Sequence, residues 1–289
     1  TGVAAGNTTI TFTDSSNCQK NTTVTVNPLP TATVLGTTTV CLNDVQPTLT
    51  FTGSGSTAPY TFTYNINGGT PKTVTTTTGN SVTVSVPTST AGTFAYNLTG
   101  VQDASSATCS RVLTASATVT VRPLPSATIS GTTSICQSGT SPVITFTGSG
   151  GTAPYIFTYN INGGTNQTVT TTSGNSVTVS VPTTSSGVYA YNLVSISYGT
   201  SPSCPTPQTG SATVTVNPLP TATIGGAATV CLNSTQPLIT FTGSGGTSPY
   251  TYAWTGPNGF TASTEDLFFN AAPGTYSVTV TDDVGCTET

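Results

Sequence analysis

Residues Thr50–Thr70 read TFTGSGSTAPYTFTYNINGGT, and Thr145–Thr165 read TFTGSGGTAPYIFTYNINGGT. In the first copy Phe62, Tyr64 and Ile66 alternate with Thr63 and Asn65. That is the period-2 pattern of a strand with one buried face. Asn67-Gly68 follows at once, and the pair predicts a type I′ hairpin because both central positions of that turn need positive φ. A strand running into a tight reversal, copied almost letter for letter, makes this a repeated β domain.

The repetition extends in both directions. Asn27-Pro-Leu-Pro30 recurs as Arg122-Pro-Leu-Pro125 and Asn217-Pro-Leu-Pro220, so the step is 95 residues each time (27 to 122 to 217). Cys41, Cys136 and Cys231 keep that step, as do Cys109 and Cys204. A unit of this length is too long for a solenoid turn and suits a whole β-sandwich of about 100 residues. In the first repeat, strands are expected at 31–34, 48–52, 60–67, 72–77, 81–86, 93–101 and 115–121. Val82, Val84 and Val86 share a face opposite Ser and Thr. Thr suits the pleated conformation and stays wettable. No segment carries a helical period.

The third unit opens like the others and then shortens, ending GTYSVTVTDDVGC at Cys286. The N-terminal GNTTITFTDSSNC, ending at Cys18, has the same spacing of Gly, strand, Asp and Cys. The expected division is therefore residues 1–28, the end of a short domain; 29–123 and 124–218, two long repeats; and 219–289, a short domain without its last strand. The equivalent of that strand is Thr22–Val26 of the next unit, from the continuing chain or by strand addition from a neighbouring molecule. Pro-Leu-Pro at each boundary fixes φ and stiffens the connection. The expected architecture is an all-β, elongated rod of tandem β-sandwiches.

Composition excludes much. Of 289 residues only four are Lys or Arg and eight Asp or Glu, and His is absent. Ordinary soluble domains are roughly 25% charged; this one is 4%. Lys20, Lys72, Arg111 and Arg122 make no basic footprint for nucleic acid. Without His, Ser-His-Asp triads, Cys-His pairs and histidine zinc sites are impossible. From Pro123 to Ser263 no residue is charged. No apolar run reaches the ~18 residues of a membrane span.

Six of the seven cysteines fall two per domain, with no CxxC motif for a metal. The repeat logic predicts intradomain disulfides Cys41–Cys109, Cys136–Cys204 and Cys231–Cys286, with Cys18 left over, in an oxidising, extracellular compartment. Other chemistry is sparse. Glu265, Asp266, Asp282 and Asp283 could offer oxygens to Ca²⁺, although the EF-hand spacing is absent and Asp282–Gly285 reads as a turn. Otherwise no cofactor is expected. Trp254 stands where the long repeats carry Tyr64 and Tyr159; it reads as core, or as a stacking platform for sugar. The N-x-[ST] matches at Asn7, Asn21, Asn97, Asn166 and Asn233 are what a Thr-rich chain gives by chance.

The ending PGTYSVTVTDDVGCTET, preceded by SPYTYAWTGPNGF, resembles the SprB-type, PKD-like repeat of Bacteroidota surface adhesins. The longer units, with PLPTATISG, ITFTGSGGTAPY, YNINGG and GSATVTVNPLP, resemble the Ig-like modules found beside it. The resemblance implies a very large cell-surface protein exported by type IX secretion and used in gliding motility or attachment, and it supplies no catalytic residues. The expected function is thus non-enzymatic: a stalk or fibre of an adhesin, with partners limited to neighbouring repeats, surface polysaccharide or self-association. A polysaccharide-binding module, or spacer domains of a large secreted enzyme, is the alternative.

Overall fold

Alternating Thr and apolar residues become paired strands throughout the computed structural model, which describes residues 4–226, 238–268 and 274–289. The chain divides into two compact units, Thr1–Leu124 and Pro125–Thr289, the division falling inside a Pro-Leu-Pro joint.

The first unit opens with a hairpin of β1 (Gly6–Thr13) and β2 (Gln19–Val26), paired from Gly6↔Val26 to Thr13↔Gln19. The first long repeat then contributes β3 (Thr31–Leu35), β4 (Thr38–Cys41), β5 (Thr48–Ser54), β6 (Thr61–Ile66), β7 (Lys72–Thr75), β8 (Ser81–Ser85), β9 (Gly92–Gln102) and β10 (Ser110–Arg122). They form two sheets, ordered β3-β5-β8 and β4-β10-β9-β6-β7. Leu49 and Phe51 from the first sheet meet Phe62, Tyr64, Leu98 and Val119 from the second, all buried. The Phe51 ring lies 5.2 Å from Tyr64 and 5.7 Å from Phe62. Burial of such apolar faces is the main stabilising term of a sandwich.

The second unit repeats this. Its strands are β11 (Ser126–Ser130), β12 (Thr133–Cys136), β13 (Val143–Ser149), β14 (Tyr155–Ile161), β15 (Gln167–Thr170), β16 (Ser176–Ser180), β17 (Gly187–Tyr198), β18 (Thr206–Pro207) and β19 (Ser211–Asn217). The sheets are β11-β13-β16 and β12-β19-β17-β14-β15, with β18 paired to β17. The short domain follows as β20 (Pro220–Gly225), β21 (Leu238–Gly245), β22 (Thr251–Thr255), β23 (Thr261–Ala262), β24 (Leu267–Phe268), β25 (Ser277–Thr281) and β26 (Thr287–Glu288). The architecture is all-β, as the alternation required.

Two strands escaped the sequence pattern, β4 and β12. Each is four residues long and pairs in parallel with the last strand of its repeat, Thr38↔Val119 to Cys41↔Arg122 and Thr133↔Val214 to Cys136↔Asn217. Between β3 and β4 the chain crosses from one sheet to the other at Gly36, with φ +120°. A Cβ there would lie 2.6 Å from the Thr48 carbonyl oxygen, so the crossing needs glycine. The Asn67-Gly68 hairpin forms as read, with φ of 50° and 76°.

Candidate functional site

The turns that lead into Cys18, Cys109 and Cys286 are each built around one acid. Asp14 Oδ1 accepts hydrogen bonds from the Ser16 and Cys18 amides, at 2.9 Å each. Asp103 Oδ1 accepts from the Cys109 amide at 2.8 Å and from Ser105 Oγ at 2.9 Å, while Ser56 Oγ donates to its other oxygen. Asp282 Oδ1 accepts from the Cys286 amide at 2.8 Å and the Val284 amide at 3.2 Å; its Oδ2 accepts from the Thr247 amide at 3.0 Å. A carboxylate that holds several amides is a structural clasp. Burial pushes the Asp103 carboxyl up, but the hydrogen bonds from Ser56, Ser105 and the Cys109 amide outweigh it and hold the group below its usual value.

The calcium candidates are not brought together. Asp282 is spent on its clasp, Asp266 Oδ1 accepts from the Phe241 amide at 3.0 Å, and Glu265 Oε1 accepts from the Tyr252 hydroxyl at 3.1 Å. Asp283 contributes its amide to the Thr247 carbonyl. Among the described residues no three acids or cysteines cluster as a metal would need.

Trp254 is 5% exposed and packs edge-on against Phe241, ring centroids 5.4 Å apart. Its Nε1–H donates to the Thr264 carbonyl at 2.9 Å. A sugar platform needs an open ring face, and this ring is core.

The expected disulfides require correction. Cys136 bonds to Cys286, Cα atoms 5.5 Å apart, so neither Cys136–Cys204 nor Cys231–Cys286 forms; Cys231 itself lies outside the described residues. Cys109 and Cys18 carry free thiols, which excludes Cys41–Cys109. The reason is geometric. Cys41 lies opposite Arg122, the last residue of β10, whereas Cys109 immediately precedes Ser110, its first. Twelve residue steps of strand put them roughly 40 Å apart, against ~7 Å for a bridge. In the next repeat Cys136 lies opposite Asn217, at the end of β19 near Gly187, while Cys204 follows the Ser203 carbonyl that accepts from Tyr198, at the far end of β17. The two cysteines of a repeat sit at opposite poles. The Cys136–Cys286 bond ties a repeat to the domain after it, across Asn217-Pro-Leu-Pro220.

One concave surface is present in the short domain. A groove of about 680 Å³ runs between β20 and β25, with Ala222, Ile224, Phe241, Trp254, Val278 and Val280 among its walls.

No family model matches the chain, and no curated protein matches it. Several solved structures are similar in fold. An adhesin of an Antarctic bacterium, described as Ca²⁺-stabilised and ice-binding, aligns at 19% identity over 98% of this chain and 79% of its own, with a TM-score of 0.44. The titin I-band fragment I67–I69 aligns at 15% identity over 91% of this chain and 97% of its own, at 0.49. Invasin, a bacterial integrin-binding protein, aligns at 14% over 88% of this chain and 57% of its own, at 0.32. The likeness is one of β architecture only.

Proposed function

We propose that this chain is structural: part of the stalk or fibre of a large secreted cell-surface adhesin, which extends a distal binding region and bears force. The observation that carries the reading is the Cys136–Cys286 bond, which joins two successive sandwiches beside a proline-stiffened linker. A covalent strut at a joint limits how far the joint can open, and it belongs in an oxidising, extracellular compartment.

The strand topology supports the same reading. In each long repeat the N-terminal edge strand runs parallel to the C-terminal strand, β4 with β10 and β12 with β19. Tension on the chain ends pulls such a pair in opposite directions along its length, loading its hydrogen bonds together rather than one by one. The Leu42 amide adds a bond to the Arg122 carbonyl at 2.8 Å just past the pair.

The sequence resemblance to SprB-type and Ig-like repeats extends the proposal to gliding or attachment and to export by type IX secretion. Small-angle scattering of the 289-residue chain tests it. A compact globule of this length has a radius of gyration of about 19 Å; the stalk requires a value well above that, and one near it overturns the reading.

A further inference from the structure

Three Asn-Gly pairs close tight turns in this chain, and the backbone is alike at all of them. Asn67, Asn162 and Asn258 have φ of 50°, 52° and 58°, and the glycines after them have 76°, 72° and 77°. In each case the amide two residues past the Asn closes the turn: Gly69 on the Ile66 carbonyl and Gly164 on Ile161 at 2.9 Å, Phe260 on Pro257 at 3.2 Å. All three asparagines are exposed.

What differs is how the side chain is held. Asn67 is tied to β9 through both ends of its amide, and Asn162 to β17 in the same way. The Gly68 amide donates to Asn65 Oδ1 at 2.9 Å, and the Gly163 amide to Asn160 Oδ1 at 3.0 Å. In the short domain all three bonds are missing. Neither the Asn258 side chain nor the Gly259 amide has a hydrogen-bond partner among the described residues. The cause is one residue of spacing. The Asn follows Tyr64 and Tyr159 by three positions (67 − 64 and 162 − 159) but follows their counterpart Trp254 by four (258 − 254). A one-residue offset re-aims a side chain, and Thr255 stands where Asn65 and Asn160 supply the acceptor.

We propose that Asn258 is a site of spontaneous succinimide formation, which converts it to aspartate and isoaspartate, and that their bonds shield Asn67 and Asn162. The Gly259 backbone nitrogen attacks Asn258 Cγ and gives up its proton. A C–N bond forms, the Cγ–Nδ2 bond breaks, and Nδ2 leaves as ammonia carrying that proton. Water then opens the five-membered ring. Addition at Cγ leaves aspartate in the original main chain; addition at the α-carbonyl leaves the main chain running through Cγ, as isoaspartate. One water enters and one ammonia departs. Glycine permits the attack because no Cβ shields its nitrogen, and the space around Gly259 is open. At Asn67 and Asn162 three hydrogen bonds must open before the amide can swing onto that nitrogen. The product carries a carboxylate into the stretch from Pro123 to Ser263, which otherwise holds no charge. Isoaspartate also adds a backbone carbon between Thr255 and Thr261, which are paired across β22 and β23. The inference concerns ageing of the chain and holds whether or not the chain is a stalk.

The test is peptide mapping by mass after the folded 289-residue chain is incubated at mildly alkaline pH, where the glycine nitrogen loses its proton more readily. The Asn258 peptide should gain about 1 Da and resolve into two products on chromatography. Its conversion should run roughly tenfold or more faster than at Asn67 and Asn162, whose bonds must open first. In denaturant those bonds are gone, and the three rates should converge. Asn258→Gln lengthens the side chain beyond easy ring closure, so it should remove both the conversion and the acidic species that grows on ion exchange. A folded chain in which Asn258 stays intact, or in which Asn67 and Asn162 convert as fast, overturns the proposal. So does a difference of the same size that persists in denaturant, because local sequence rather than the bonds would then set the rates.

Discussion

Gly151 lies directly under the Tyr198 ring: a Cβ on Gly151 would come within 2.0 Å of the Tyr198 hydroxyl. One repeat earlier the same two positions hold Ser56 and Asp103, and there the Ser56 hydroxyl donates to the Asp103 carboxylate. A small polar pair has been exchanged for an absent side chain and a large ring. Each member makes sense only with its own partner, because a packed pole has room for one ring or for a hydrogen-bonded pair.

Gly151→Ser should therefore destabilise the second repeat by about 1–3 kcal/mol, the range for overpacking. The double variant Gly151→Ser/Tyr198→Asp should recover much of that loss by importing the first repeat's pair. Thermal unfolding of the three proteins measures the coupling; simple additivity of the two single changes would contradict the pairing.

The two repeats should also respond differently to loss of a tyrosine hydroxyl. Tyr60 Oη accepts from the Ser56 amide at 3.1 Å and donates to the Ser56 carbonyl. The equivalent Tyr155 hydroxyl is buried without a partner among the described residues. Tyr60→Phe should cost about 1 kcal/mol, and Tyr155→Phe should be neutral or stabilising. Denaturant midpoints of the two variants decide it.

Acid should weaken the first repeat through Asp103. Its folded-state pKa is below the unfolded one, so its contribution is complete above the unfolded carboxylate value of about 3.9 and is lost as pH falls through the folded value. Asp103→Asn keeps the shape and removes the titration. Melting temperature against pH below about 4 should slope less steeply in the variant than in the parent.

Cysteine connectivity can be read by mass. Non-reducing peptide mapping should give a peptide pair joining Cys136 to Cys286 and none joining Cys41 to Cys109 or Cys136 to Cys204. Recovery of either intradomain pair would contradict the placement of these cysteines at opposite poles.

The hairpin at Asn67 makes a finer demand. Its side-chain amide donates to the Thr93 carbonyl at 3.1 Å and its Oδ1 accepts from the Ala95 amide at 2.7 Å, so the turn is clamped to β9. Asn162 repeats both bonds, to Val188 and Ala190. Asn67→Gly keeps the positive φ but loses the clamp, and should cost about 1–2 kcal/mol in thermal unfolding.

Much was legible because its cause is local. Phe62, Tyr64 and Ile66 reveal their strand and its buried face by alternation, and Asn67-Gly68 reveals its turn by the φ values those residues allow. Trp254 could be placed in a strand, though only its packing on Phe241 and its bond to Thr264 showed the ring to be almost wholly buried. The acid clasp was hidden for another reason. Asp282 and Asp283 look alike in sequence, and which of them turns inward to hold the Cys286 amide depends on the fold around them.

Sequence by itself determined the repeat length, the β class and the turn chemistry, because each follows from short-range pattern or from counting. Only the tertiary structure decided which cysteines can meet, that β4 and β12 close the sheets in parallel, and that an apolar groove lies between β20 and β25. Those features depend on where distant residues lie along a strand. A step count cannot show that Cys41 and Cys109 stand at opposite ends of β10, and a disulfide forms by distance in space.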